Sequence, residues 1–249
     1  MVIINVYLLH YVKLEIPIKQ VLEYTVSNQT FPYYSQIQIV IDTHLSTIIS
    51  IFLRLISLNY CRNFKFMRIC AIKGSLNPQS RSSALIDYYL TISSKRGINV
   101  DLIDLRQHIL PFHDGTKNCK TPKVMELAER IMRADGIVIA TPIYVYGINA
   151  NVKNFVDLTG RAWSDKAVGF LCSAGGSHSY MSILSLANSL MLDFRCLILP
   201  RFVFATRNDF ITNDNSSSIE IDNPEVLQRI EELAQELPKL SVAAKQLTK

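Results

Sequence analysis

The stretch GIVIATPIY at residues 136–144 carries no charged side chain and closes on Thr141 and Pro142, and it limits the fold more than any other feature of the chain. A strand with one wet face alternates apolar and polar residues. A continuous apolar run needs cover on both faces, which a parallel sheet between two layers of helices supplies. The neighbouring segments keep the same rhythm. Residues 67–74 (MRICAIKG), 98–105 (INVDLIDL), 166–176 (KAVGFLCSAGG) and 196–206 (CLILPRFVFAT) read as four further strands. Between and after them, residues 83–97, 123–136, 149–158, 179–194 and 224–237 carry apolar residues at helical spacing. Five strands alternating with five helices predict an α/β, three-layer, doubly wound fold with a five-stranded parallel sheet.

In such sheets ligands bind beyond the carboxyl ends of the strands. Three of those ends carry unusual loops: GSLNPQSRSS at 74–83, TPIYVYG at 141–147 and SAGGSHS at 173–179. The first joins a strand to a helix, where unpartnered backbone N–H groups and the helix dipole favour an anion. Ser75, Ser80, Ser82 and Ser83 add hydroxyls and Arg81 adds charge. The loop lacks the second glycine and the lysine of a nucleotide P-loop, and Gly74 alone cannot make a dinucleotide turn. A terminal phosphate monoester suits it better than a pyrophosphate does. An ordinary βα loop whose serines cap a helix is the competing reading.

The net charge is +5 over 249 residues, without a basic run interleaved with aromatics, so nucleic acid is not an expected partner. The five cysteines form no C-x-x-C pair and no metal-ligand spacing, which points to a reducing compartment and no metal. All nine glycines lie at or after Gly74. At an average content of about 7%, roughly four or five would fall in residues 1–66, which also lack alanine. That bias resembles translated A+T-rich non-coding DNA. It makes residues 1–66 an expected over-extended start, poorly ordered, with Met67 the expected initiator and 67–249 the functional domain. A real appended segment, membrane-associating, is the alternative, although Leu45 to Leu58 is interrupted by Arg54 and too short to span.

Taken together, the three loops resemble those of the NAD(P)H-dependent FMN reductases of the flavodoxin-like superfold, especially the alkanesulfonate type. The likeness runs from Met67 to about Phe210. It implies strand order 2-1-3-4-5, FMN with NADPH or NADH, and an NAD(P)H-dependent FMN reductase passing electrons to free flavin, a quinone or another small acceptor. It further implies that Ser75, Ser80, Arg81, Ser82 and Ser83 hold the flavin phosphate. Pro142, Ile143, Tyr144 and Val145 would line the isoalloxazine, and Ala174, Gly175 and Gly176 would approach it closely. The flavin does the hydride chemistry, so no catalytic side chain is expected. Many relatives carry glutamate after the proline and asparagine beyond the tyrosine, where this chain has Ile143 and Tyr146. The resemblance implies a cytoplasmic homodimer or homotetramer, with a flavin-dependent monooxygenase as one class of partner. A flavodoxin-like electron carrier or flavin-binding protein without NAD(P)H oxidation is the alternative. Tyr144 and Tyr146 stack on a ring or pack between subunits; Lys153, Asp157 and Trp163 read as structural; Arg161 and Lys166 are candidates for a nucleotide 2′-phosphate.

Overall fold

The structure, a computed structural model, describes residues 67–213 and 218–247. The expectations for residues 1–66 lie outside the described residues. Strands β1 (Arg68–Lys73), β2 (Asn99–Asp104), β3 (Gly136–Tyr144) and β5 (Ala167–Ser173) run parallel, with β1 between β2 and β3 and β3 between β1 and β5. A short β4 (Gly147–Ile148) folds back on the end of β3. The fifth sheet position is shared by β6 (Leu197–Ile198) and β7 (Val203–Ala205), both parallel to β5. The expected order 2-1-3-4-5 holds, but the expected continuous strand over 196–206 is split. Pro200 has no N–H for a ladder and Arg201 takes φ +57°, so pairing stops and restarts two residues later.

Alternation along the strands sorts the layers. Ile69 and Ala71 of β1 pack with Leu85, Ile86 and Tyr89 of α1 (Arg81–Lys95) and with Ile230, Leu233 and Leu237 of α5 (Pro224–Leu247). Cys70 and Ile72 face the other way, toward α2 (Pro122–Arg133), α3 (Ala150–Thr159) and α4 (Leu184–Phe194). Both faces are therefore dry, as the apolar β3 requires, and each large aliphatic side chain buried there contributes about 1.5–3 kcal/mol. Trp163 anchors the second layer. It is fully buried, edge-on to Phe155, and its Nε1–H donates to Thr159 Oγ1 at 2.7 Å.

Three local readings need correction. The helix expected over 179–194 begins as a 3-10 segment, Ser177–Ile183, in which Ser179 leaves helical geometry, and becomes α4 only at Leu184. The helix expected to stop at 237 continues through Pro238 to Leu247, because Ser241 and Ala244 extend the buried face of Leu233, Ala234 and Leu237. That packing offsets the backbone bond that proline removes. The loop expected at 212–218 is partly a hairpin: β8 (Phe210–Asn213) pairs antiparallel with β9 (Ser218–Ile221), and residues 214–217 lie outside the described residues.

Candidate functional site

Parallel register brings the three loops to one rim. Lys73 lies beside Ala140, and Pro142 beside Ser173. Gly74 N–H donates to Ala140 O at 2.8 Å, and a Cβ on Gly74 would stand 2.8 Å from that oxygen and 2.3 Å from Val152 Cγ2. Only glycine fits where the first loop leaves the sheet. Beyond it, Asn77 N–H donates to Ser75 Oγ at 3.2 Å and Gln79 N–H to Asn77 Oδ1 at 2.9 Å, which curls the loop on itself.

Ser80 then caps α1. Its Oγ accepts from Ser83 N–H and stands 2.9 Å from Ser82 Oγ. The first turn holds no acidic residue, so nothing there offsets the positive end of the dipole. Ser75, Ser80, Ser82 and Ser83 are buried and Arg81 is half-buried. Capping, the competing reading, accounts for Ser80 alone. Ser83 Oγ is buried and has no hydrogen-bond partner within the described residues. The N–H groups of Arg81 and Ser82, at the head of the helix, have no carbonyl one turn earlier to bond.

At the second loop, Ile143 and Tyr144 pair with Ile148 and Gly147 across a two-residue turn. Its central residues, Val145 at φ +50° and Tyr146 at φ +58°, both sit in the left-handed region. A type I′ turn requires that geometry and ordinarily uses asparagine or glycine. Here an isoleucine-flanked hairpin holds a β-branched valine in it, with Val145 fully exposed and Tyr146 largely so. A cavity of about 260 Å³ opens between this turn and the third loop, lined by Ile143, Val145, Tyr146, Gly175, Gly176, His178 and Ser179. A Cβ on Gly175 or Gly176 would meet nothing within 4 Å. Gly176 is extended at φ −155°, and neither glycine takes a positive φ. Neither packing nor backbone shape demands glycine at these two positions, and what their bare backbones leave clear is space in the cavity.

Pro142 and Ala174 are buried at the strand ends, and the side chain of Tyr144 lies outside the cavity wall. Tyr146, for which stacking on a ring was one of two readings, lines it, and so do His178 and Ser179, which were not among the expected site residues. The signal for His178 and Ser179 was their place two and three positions after the glycine pair. Lys153 and Asp157 form an exposed i,i+4 ion pair on α3, as the structural reading holds. Lys166 does not reach the rim. It precedes the amino end of β5 and donates to Met132 O at 2.8 Å and Ala134 O at 2.7 Å, covering the end of α2. Arg161 lies in the turn after α3 that leads into that same amino edge. Among the described residues no cluster of three or more His, Cys, Asp or Glu could hold a metal, and no helix is long and apolar enough to cross a membrane.

Strand order and an anion-ready turn after β1 place the molecule in the flavodoxin-like class of α/β proteins. Within that class, residues 67–210 match the family described as NADPH-dependent FMN reductase, and the chain belongs to it. An NAD(P)H-dependent FAD/FMN reductase of Geobacillus thermodenitrificans is 30% identical over 179 residues, covering 69% of this chain and 91% of the relative. An NADPH:quinone oxidoreductase of Arabidopsis thaliana is 29% identical, covering 55% of this chain and 73% of its own length. The solved structure of FerB, a flavoenzyme NAD(P)H:(acceptor) oxidoreductase from Paracoccus denitrificans, superposes with a TM-score of 0.58 at 15% identity, covering 72% and 98% of the two chains, and carries the same fold. The protein is an oxidoreductase that uses FMN and NAD(P)H, moving hydride from the nicotinamide to the flavin.

Proposed function

We propose that the rim seats FMN with its 5′-phosphate on Ser75, Ser80, Arg81, Ser82 and Ser83, and its ring along Pro142, Ile143, Tyr144 and Val145 on one side and Ala174, Gly175 and Gly176 on the other. The observation that carries this reading is Ser83 Oγ, a buried hydroxyl without a partner at the head of α1. A native chain keeps few such groups, and an arriving phosphate oxygen satisfies it. The clear space over Gly175 and Gly176 admits a flat ring against bare backbone. When bound, FMN supplies the hydride chemistry.

The chain's own work is positioning. Arg81 and the free N–H groups of α1 hold the phosphate end. The Val145–Tyr146 turn walls the cavity beside which the ring would lie. Hydride transfer needs the two reacting atoms within roughly 3–3.5 Å, so a rigid turn here governs rate more than any acid or base does. The walls carry no carboxylate and no lysine or arginine, only His178 as a titratable side chain besides Tyr146. An uncharged planar acceptor, a quinone above all, fits such walls.

Exposed Tyr144, Val145 and Tyr146 at the mouth favour a second copy of the chain as their cover, in a homodimer or homotetramer. The four cysteines among the described residues are buried and free, which suits the cytoplasm. The test is a visible spectrum of the purified chain, followed by NADPH oxidation with and without FMN and a benzoquinone. Yellow protein or FMN-dependent turnover is expected. Colourless protein that neither binds FMN nor oxidises NADPH refutes the reading.

A further inference from the structure

The connection from β2 to α2, residues 105–121, is long for its kind, since loops between a strand and a helix ordinarily take about 2–6 residues. It leaves the sheet where Asp104 lies beside Lys73, so it rises from the same carboxyl edge as the three site loops. It is firmly held. Asn154 of α3 grips it at two points, accepting from His113 N–H at 2.8 Å and donating to Pro111 O at 2.9 Å. Leu110 packs against the core, and Cys119 is buried with its thiol donating to Thr116 O at 2.9 Å. Between these anchors Ile109 is fully exposed and Phe112 is 82% exposed.

The flanks of the two apolar tips are basic. Residues 105–123 carry four Lys or Arg side chains and two histidines against a single acid, Asp114. Arg106 pairs with Asp104 and Lys123 with Glu126, whereas Lys117 and Lys120 are exposed and have no ion-pair partner among the described residues. On α2 the acid Glu129 is spent on Arg133, and Asp101 of β2 on Arg130, so no acidic surplus offsets those lysines. A second copy of the chain set against this loop across a two-fold axis would bring the same lysines together. A protein partner needs about 800 Å² of matched surface on each side, and the loop offers separate tips. A lipid surface asks for no such match: apolar tips enter the headgroup boundary while lysines meet anionic lipid. We propose that residues 105–121 dock the chain on an anionic bilayer surface, with Ile109 and Phe112 inserted and Lys117 and Lys120 on the headgroups. The docking does not depend on the flavin seat; with that seat in place, it brings the same edge of the sheet to acceptors dissolved in the lipid.

The probe is a vesicle of equal parts phosphatidylglycerol and phosphatidylcholine, mixed with the full chain and separated by flotation. The parent should float with these vesicles, stay behind with vesicles of phosphatidylcholine alone, and be released as salt is raised. Ile109→Ser with Phe112→Ser, and separately Lys117→Glu with Lys120→Glu, should each weaken binding about tenfold or more. All of these positions are exposed, so circular dichroism and NADPH oxidation with a soluble benzoquinone should match the parent. The docking is overturned by a parent that does not float, by equal flotation with neutral vesicles, or by undiminished flotation of either double variant, which would put the contact elsewhere on the chain. A parent dimer that dissociates on changing Ile109 and Phe112 would give the loop to a second copy and overturn it as well. A chain that floats as expected yet never binds FMN keeps the docking and removes the flavin seat instead.

Discussion

Asn149 Nδ2 donates to the carbonyl oxygen of Gly74 at 2.5 Å, joining two residues 75 positions apart. Asn149 stands at the N-cap of α3, where its side chain would ordinarily cap the helix, yet it makes no cap bond. Its Oδ1 instead accepts from Thr141 Oγ1 at 3.1 Å. One buried amide thus holds the exit of β1, the end of β3 and the start of α3 together, and with them the loops on either side of the site.

Removing that link should loosen both loops at once. Asn149→Ala takes the amide donor from the buried Gly74 carbonyl and leaves Thr141 Oγ1 only Pro142 O as acceptor, and is expected to lower stability by about 1–3 kcal/mol. Gly74→Ala drives a Cβ into Ala140 O, a backbone atom that cannot rotate away, with an expected loss of about 1–3 kcal/mol. Urea titrations with FMN absent measure both. A Gly74→Ala chain as stable as the parent would contradict the close approach described here.

Ser83 separates the free protein from the loaded one. Because Ser83 Oγ is buried without a partner, Ser83→Ala should leave the FMN-free chain equally stable or slightly more so. The same change should weaken FMN. Arg81→Ala should weaken FMN by about 1.5–3 kcal/mol, the range for hydrogen bonds to charged groups, and leave riboflavin, which has no phosphate, nearly unaffected. Fluorescence titration with the two flavins decides: equal losses for both would remove Arg81 from the phosphate.

The left-handed valine offers a test of stored strain. That conformation costs an L-residue about 1–2 kcal/mol, and glycine gives back about 0.5–1 kcal/mol through the freer unfolded chain. Val145→Gly should therefore raise stability by roughly 0.5–1 kcal/mol while removing part of the cavity wall and lowering NADPH oxidation. A lower melting temperature would show that the valine side chain has packing the exposed turn does not reveal.

Acid should act on the junction between β7 and α5. Burial pushes the Asp209 carboxyl up, but Asn223 Nδ2, Thr206 N–H and Thr206 Oγ1 outweigh it and hold the carboxyl below the usual range. A lowered folded-state pKa means that the stabilisation is present above the unfolded value of about 3.9 and fades as pH falls through the folded one. Melting temperatures between pH 6 and pH 2.5 should fall less steeply for Asp209→Asn than for the parent in the acid range. Parallel curves would show that Asp209 contributes nothing to acid sensitivity.

The layers were legible in the chain because burial on a sheet is a local pattern: an uncharged, mostly apolar run such as Gly136–Tyr144, whose first eight residues are buried, has to be covered on both faces, whatever covers them. The serines after Gly74 were legible as a helix head that attracts anions for the same reason, since a helix start leaves its N–H groups free by its own geometry. Tertiary structure decided what local pattern could not encode. Pro238 lies inside a helix because the face it shares with Leu237 and Ser241 is buried against the sheet layer. Asn149 reaches Gly74 instead of capping because parallel register sets β1 beside β3. Each of these depends on where a distant segment comes to rest, and that is set by packing the whole molecule.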